Sequence, residues 1–297
     1  MNWDNILKDY RRYLSFERNL SNNSVQAYIA DVSKLRVYCE DNKLELENLN
    51  MNHMQDFLYW LNDFAISPFT QARIISGLKN FFKFVELEYE WSNNPVELLE
   101  TPRLARKIPD VLDIHEIDAL INAIDLSTTE GARNKAMLEV LYGCGLRVSE
   151  LIGLKISNLH LEVDFIKVEG KGNKERLIPI GQEASKYLNI YIKEVRSNTK
   201  IKAGQEDIVF LNRRGSALSR VMIFLIIKDL AAKIGLQKTI SPHTFRHSFA
   251  SHLVEGGADL RAIQDMLGHE SITTTEIYTH IDKDYLQSII TQYHPRS

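Results

Sequence analysis

The chain has 297 residues, 44% of them apolar, with two cysteines, 36 Lys/Arg against 39 Asp/Glu and a net charge of −3. A single core stops growing at about 250–300 residues, so a chain of this length and apolar content is expected to form about two domains. No run approaches the roughly 20 apolar residues that span a bilayer, and the opening MNWDNILKDYRRYL is charged where a secretory leader is apolar, so a cytoplasmic location is the expectation. Cys39 and Cys144 have neither CxxC spacing nor a His/Cys cluster, which argues against a zinc site or a disulfide framework and for two small buried groups.

In chain order, Val25, Tyr28, Ile29, Val32, Leu35 and Tyr38 recur at three- and four-residue steps, predicting an amphipathic helix that Ser21 or Ser24 caps. A second stripe, Ile74, Ile75, Leu78, Phe81, Phe82 and Val85, leaves Arg73, Ser76, Lys79 and Lys83 on the opposite face, where they form either a solvated helix surface or a track along a DNA backbone. Nothing in residues 1–100 reads as a strand, so this part is expected to be a small helical domain. Residues 101–110 hold two prolines together with Arg103, Arg106 and Lys107, which suits an extended linker and adds three candidate DNA contacts.

Beyond it, 114–126 and 131–143 read as helices and Leu161–Val168 as a strand. The turn Gly170-Lys171-Gly172-Asn173 and the strand Arg176–Ile180 complete a hairpin, and Ile208–Leu211 reads as a further short strand. Residues 1–100 carry 10 Lys/Arg and 15 Asp/Glu whereas 101–297 carry 26 and 24, so the second part is the better candidate for phosphate contact. Binding a phosphate needs a basic face and not a basic total, because charge beyond a Debye length of about 8 Å is screened.

Five segments combine a reactive or cationic side chain with a structurally fixed position. Arg147 follows the glycine-rich entry Gly143-Cys144-Gly145, with Glu150 three residues on and within reach to orient its guanidinium; an ordinary surface ion pair is the alternative. Lys171 occupies the hairpin tip, where lysines commonly only solubilise. His243 and Arg246 fall one turn apart on a helix opening after Pro242, a pair able to grip two oxygens of one phosphate, or else a cap histidine and a paired arginine. His269 follows Gly268, a candidate helix cap after Leu260, Ile263, Met266 and Leu267. Tyr278 lies in a threonine-rich stretch, one of 12 tyrosines, and local spacing alone does not single it out.

Together these segments resemble the tyrosine recombinases. Arg147, Lys171, His243, Arg246, His269 and Tyr278 match that family's catalytic pattern in order, within the words GLRVSEL, GKGNKER, HTFRH, LGH and IYTH. The likeness extends through LSNNSVQAYIADV in the helical part. Within the family the sequence is similar to the bacterial Xer recombinases, a reading that His294-Pro295-Arg296 strengthens, and the extra arm-binding domain of many phage integrases is not expected.

The resemblance implies a mainly α chain with a small β-hairpin: a two-domain, C-shaped DNA clamp with a core-binding domain over 1–100, a linker at 101–110 and a catalytic domain over 111–297. It implies a transient 3′-phosphate ester on Tyr278, Arg147 and Arg246 on the phosphate oxygens, Lys171 as acid to the leaving oxygen, His243 and His269 assisting, and no metal or cofactor. Implied partners are double-stranded DNA with a short inverted repeat, three further protomers that include a paralogous recombinase, and a septal DNA translocase. The implied role is resolution of chromosome dimers; a mobile-element integrase, a non-cleaving DNA-binding protein and a type IB topoisomerase are the rivals. Tyr285, Leu286, Ile289 and Ile290 form an apolar stripe suited to docking on a neighbouring protomer, or to packing on their own domain.

Overall fold

A computed structural model describes residues 2–64, 66–91, 93–102, 110–170, 174–268 and 280–297, with only the backbone described over 280–283. The chain divides into two compact units, 1–107 and 108–297. No helix among the described residues is long and apolar enough to cross a membrane. The proposed linker residues 103–109, with Arg103, Arg106 and Lys107, lie outside the described residues.

The α-helices of the first unit are α1 (Trp3–Arg12), α2 (Asn22–Asp41), α3 (Met51–Asp63) and α4 (Pro68–Tyr89), and its described residues hold no strand. Each helix starts where a polar side chain accepts from main-chain N–H groups left free in the first turn, Asn2, Ser21, Asn50 and Ser67 in order, and Pro68 follows the last cap with its φ already set for a helix. The α4 stripe is wholly inaccessible and packs with Tyr10, Leu14 and Phe57, whereas Arg73, Ser76, Lys79 and Lys83 are exposed. The α2 stripe buries Val25, Val32, Leu35 and Tyr38, with Tyr28 and Ile29 partly covered. Beside it Asp31, 2% exposed, is paired with Arg73 at 2.5 Å and with Lys34 at 3.5 Å. Arg73 is thus held by a buried carboxylate, unlike Lys79 and Lys83.

The second unit opens with α5 (Ile114–Asn122), whose cap Asp113 and Glu116 satisfy one another's main-chain N–H groups, and α6 (Thr129–Gly143), buried along most of its circumference. The short α7 (Val148–Ile152) leads to an antiparallel sheet of β1 (Leu159–His160), β2 (Phe165–Glu169) and β3 (Glu175–Pro179), in that order. The strand expected over Leu161–Val168 is shorter because Leu161–Val163 forms a 3-10 turn that ends at Asp164 with φ 55°. The hairpin is present, with Val168 opposite Arg176 and Glu169 opposite Glu175, and the Gly170 N–H donates to Lys174 O at 2.8 Å beneath its tip.

Helices α8 (Gln182–Ile190), α9 (Arg220–Lys233), α10 (Pro242–Gly256), α11 (Leu260–Leu267) and α12 (His280–Tyr293) complete the unit. The strand expected at Ile208–Leu211 is replaced by two isolated bridges, Lys155 to Ile208 and Leu211 to Ala217, because its neighbours on each side extend for one residue only. The α12 stripe also departs from its docking expectation. Leu286, Ile289 and Ile290 are buried in the unit's own core, and only Tyr285 is exposed. Arg296 fastens the segment after α12 by forking both oxygens of buried Glu139 and reaching Asp118.

Candidate active site

The entry to α7, strand β3 and helix α10 converge at a buried carboxylate beside the end of α11. The entry to α7 turns at Gly145, φ 55°, where a Cβ would lie 2.4 Å from the Phe249 ring, so only glycine lets this turn sit on α10. The turn makes Arg147 the residue that begins α7. Its main-chain N–H and its Nη1 each donate to Glu150, both at 2.8 Å. The alternative of a surface ion pair does not hold: the Glu150 side chain is 2% exposed.

Glu150 also receives a fork from Arg176 on β3, Nη1 to Oε1 at 2.8 Å and Nη2 to Oε2 at 2.9 Å, and Nη1 of Arg246 lies 3.8 Å from Oε2. Three guanidiniums therefore surround one carboxylate. Burial raises the Glu150 carboxyl, but the Arg176 bonds and charge and the Arg147 main-chain N–H outweigh it, leaving the group below its ordinary range and ionised at neutral pH. Arg246, itself buried, is brought down to about 10 by desolvation and then by the charge of Arg147, so it too keeps its charge.

The same three arginines meet the end of α11. A helix leaves its last carbonyls without intrahelical partners and carries partial negative charge there. Here Met266 O accepts from Arg176 Nε at 2.8 Å, Leu267 O from Arg246 Nη2, and Gly268 O from Arg147 Nη2 at 3.0 Å. Arg246 Nη1 also donates to Gly145 O at 2.8 Å, closing the site against the α7 turn. Gly268 ends α11 as expected, in the left-handed region at φ 62°. Three cations around one anion leave a net excess of two positive charges, an environment that draws in a phosphate.

Of the six sequence candidates, Arg147 and Arg246 are brought together. His243 is exposed at the second position of α10, directly after Pro242. Lys171, His269 and Tyr278 lie outside the described residues. Sequence reasoning missed Arg176 as a site residue. The signal was a charged residue at an inward position of a strand otherwise built from apolar inward residues, since β3 buries Arg176, Ile178 and Pro179.

Residues 110–284 match the model of the phage integrase family, and residues 7–88 match the phage integrase N-terminal SAM-like domain. The chain is 42% identical over 293 residues to tyrosine recombinase XerD of Staphylococcus epidermidis, covering 98% of this chain and 99% of that protein. It is 43% identical over 293 residues to tyrosine recombinase XerD of Oceanobacillus iheyensis, covering 98% of each. Among solved structures, the XerH site-specific recombinase bound to palindromic difH substrate, in a post-cleavage complex, aligns over 95% of this chain and 83% of that one, with a TM-score of 0.72 and 24% identity.

Proposed function

The chain belongs to the phage integrase family, the tyrosine recombinases, and from that premise we propose that Arg147 and Arg246 hold one DNA phosphate while the Tyr278 hydroxyl attacks it. The observation that carries this reading is the gathering of both guanidiniums around Glu150 and the end of α11. Each arginine retains unpaired N–H donors, since a guanidinium has five and its described bonds use two. Paired planar donors match the non-bridging oxygens of a phosphate, and lysine cannot reproduce them.

In the first step the Tyr278 oxygen bonds to phosphorus and the bond from phosphorus to the 5′ oxygen breaks, giving a 3′-phosphotyrosyl ester. The phenol, with an ordinary pKa near 10, gives up its proton to a neighbouring base, for which His243 and His269 are the candidates. Lys171 donates a proton to the departing 5′ oxygen. One phosphodiester is exchanged for another, so the strand is rejoined by the reverse reaction without ATP. The positive charge of the arginines and of Lys171 faces the charge that grows on the phosphate, and no cofactor is required by this scheme.

The first unit acts as the core-binding domain, with Arg73, Lys79 and Lys83 of α4 and Arg103, Arg106 and Lys107 after it contacting DNA, and residues from about 111 act as the catalytic domain. The substrate is a short inverted-repeat site of the dif kind, where four protomers, two of them of a XerC-like paralogue, resolve chromosome dimers in the cytoplasm under a septal DNA translocase. The experiment is incubation with a nicked duplex carrying a candidate inverted repeat. Wild type forms a covalent protein–DNA adduct on that duplex and not on a scrambled one, and Tyr278→Phe forms none; adducts of equal yield on both duplexes, with relaxation of any supercoiled plasmid, would instead indicate a topoisomerase.

A further inference from the structure

Arg176 stands outside the six candidates, yet it belongs to the hairpin segment and its side chain bonds two others, at Glu150 and at Met266. It lies on β3 two residues beyond Lys174, whose carbonyl closes the hairpin at Gly170. Its fork covers both Glu150 oxygens, and its Nε holds Met266 O, three residues before His269. It is 8% exposed. A buried ion pair is a costly way to fill a core, and apolar residues of the same size often serve stability as well or better. Its presence on the inward side of a strand is therefore poorly accounted for by packing alone.

We propose that Arg176 is a positioning residue for phosphate activation, holding Glu150 so that Arg147 and Arg246 keep their remaining donors turned to the DNA, while tying β3 to the end of α11. The inference rests on the function proposed above. Glu150 Oε1 takes Nη1 of both Arg147 and Arg176; Oε2 takes the Arg147 main-chain N–H and Nη2 of Arg176, with Arg246 just outside bonding distance. Among the described residues these three arginines are the charged groups facing Glu150. Without Arg176 the carboxylate is free to swing toward Arg246 and to draw both remaining guanidiniums inward. Its full negative charge then opposes the phosphate that they are meant to hold. Arg176 saturates that carboxylate, so the charge of the other two is left for substrate.

The test compares full-length wild type, Arg176→Gln and Arg176→Lys on two nicked duplexes carrying the site, one with an ordinary scissile phosphate and one with a methylphosphonate there. A methylphosphonate bears no negative charge and so depends less on paired cations. On phosphate, Arg176→Gln lowers the rate of Tyr278-dependent adduct formation by about 10²-fold, and on methylphosphonate by less than about 10-fold, each relative to wild type on the same duplex. Arg176→Lys, a single charge that cannot fork two oxygens, falls between wild type and Arg176→Gln on phosphate. Because the two duplexes are compared within one variant, loss of folded protein cancels from the ratio, and Arg176→Lys supplies the same ratio where Arg176→Gln folds poorly. Equal losses on both duplexes, or a phosphate rate within about 3-fold of wild type for Arg176→Gln, would overturn the proposal. Absence of any Tyr278-dependent adduct in wild type is the separate failure of the parent reading, and takes this one with it.

Discussion

Gly268→Ala perturbs the site at the point where the helix end and the arginines meet. Gly268 has φ 62°, and a Cβ there lies 3.1 Å from Cδ, Nε and Nη1 of Arg176. The left-handed backbone costs a residue with a Cβ about 1–2 kcal/mol. Arg176 gives way only by lengthening its bonds to Glu150 and Met266 O, now 2.8–2.9 Å, and each charge-assisted bond is worth about 1.5–3 kcal/mol. Gly235 is the control, with φ 67° and nothing within 4 Å of a built Cβ. In a unit of about 190 residues, 1 kcal/mol moves Tm by roughly 2–4 °C. Gly235→Ala thus lowers Tm by about 2–8 °C, and Gly268→Ala by roughly a further 3–12 °C. Calorimetry reads the melting, and adduct formation on a nicked duplex reads the site: Gly268→Ala slows it and Gly235→Ala leaves it unchanged. Equal melting losses with equal adduct rates would refute the reasoning that Gly268 is held against Arg176.

Ile290→Ala removes a fully buried side chain from the second unit's own core and is expected to cost about 2–5 kcal/mol in the melting of the protein without DNA. An unchanged melt would return the α12 stripe to a docking role. His294 is buried, its Nδ1 accepts from the Arg296 main-chain N–H at 3.1 Å, and burial, with the charges of His252 and Arg296, pushes its pKa from 6.5 to about 3. The fold holds the neutral ring, so as pH falls through the window from about 6.5 to about 3 the unfolded chain takes up a proton that the folded chain refuses, and stability declines there. His294→Phe flattens that decline; denaturant titrations of both proteins at pH 7 and pH 4.5 measure it. EDTA leaves adduct formation intact, because arginines and a lysine provide the cationic field; a rate restored only by added divalent ion would contradict this mechanism. Lys79→Ala weakens DNA binding similarly on all sequences and lowers the slope of log affinity against log salt by about 1, the loss of one phosphate contact.

The helices were legible because their stripes are regular: Ser21, one of two candidate caps, does cap α2, and every apolar position of the α4 stripe is buried, while the cap Ser67 of α4 came only with the structure. Short strands were less so. Leu161–Val163 has strand-forming residues, but Asp164 takes a left-handed backbone and the pairing begins only at Phe165. Ile208–Leu211 is apolar because it crosses the core, and periodicity cannot separate a buried extended crossing from a paired strand. At the site, the order of the motifs yielded Arg147 and Arg246, and a three-residue spacing yielded Glu150 as the partner of Arg147. Arg176 was hidden because its partners, Glu150 and Met266, are 26 and 90 residues away, and only the fold brings them together. The α12 stripe reads the same whether its cover is its own core or a neighbour, so the sequence could not choose between them.

The central claim is that the phosphate held by the Arg147 and Arg246 pair becomes bonded to one tyrosine. Trapping the adduct on a nicked duplex, digesting protein and DNA, and sequencing the modified peptide by mass spectrometry tests it most directly. The account predicts a nucleotide linked through its 3′ phosphate to Tyr278. A nucleotide on any other residue, or a linkage through the 5′ phosphate, would contradict it.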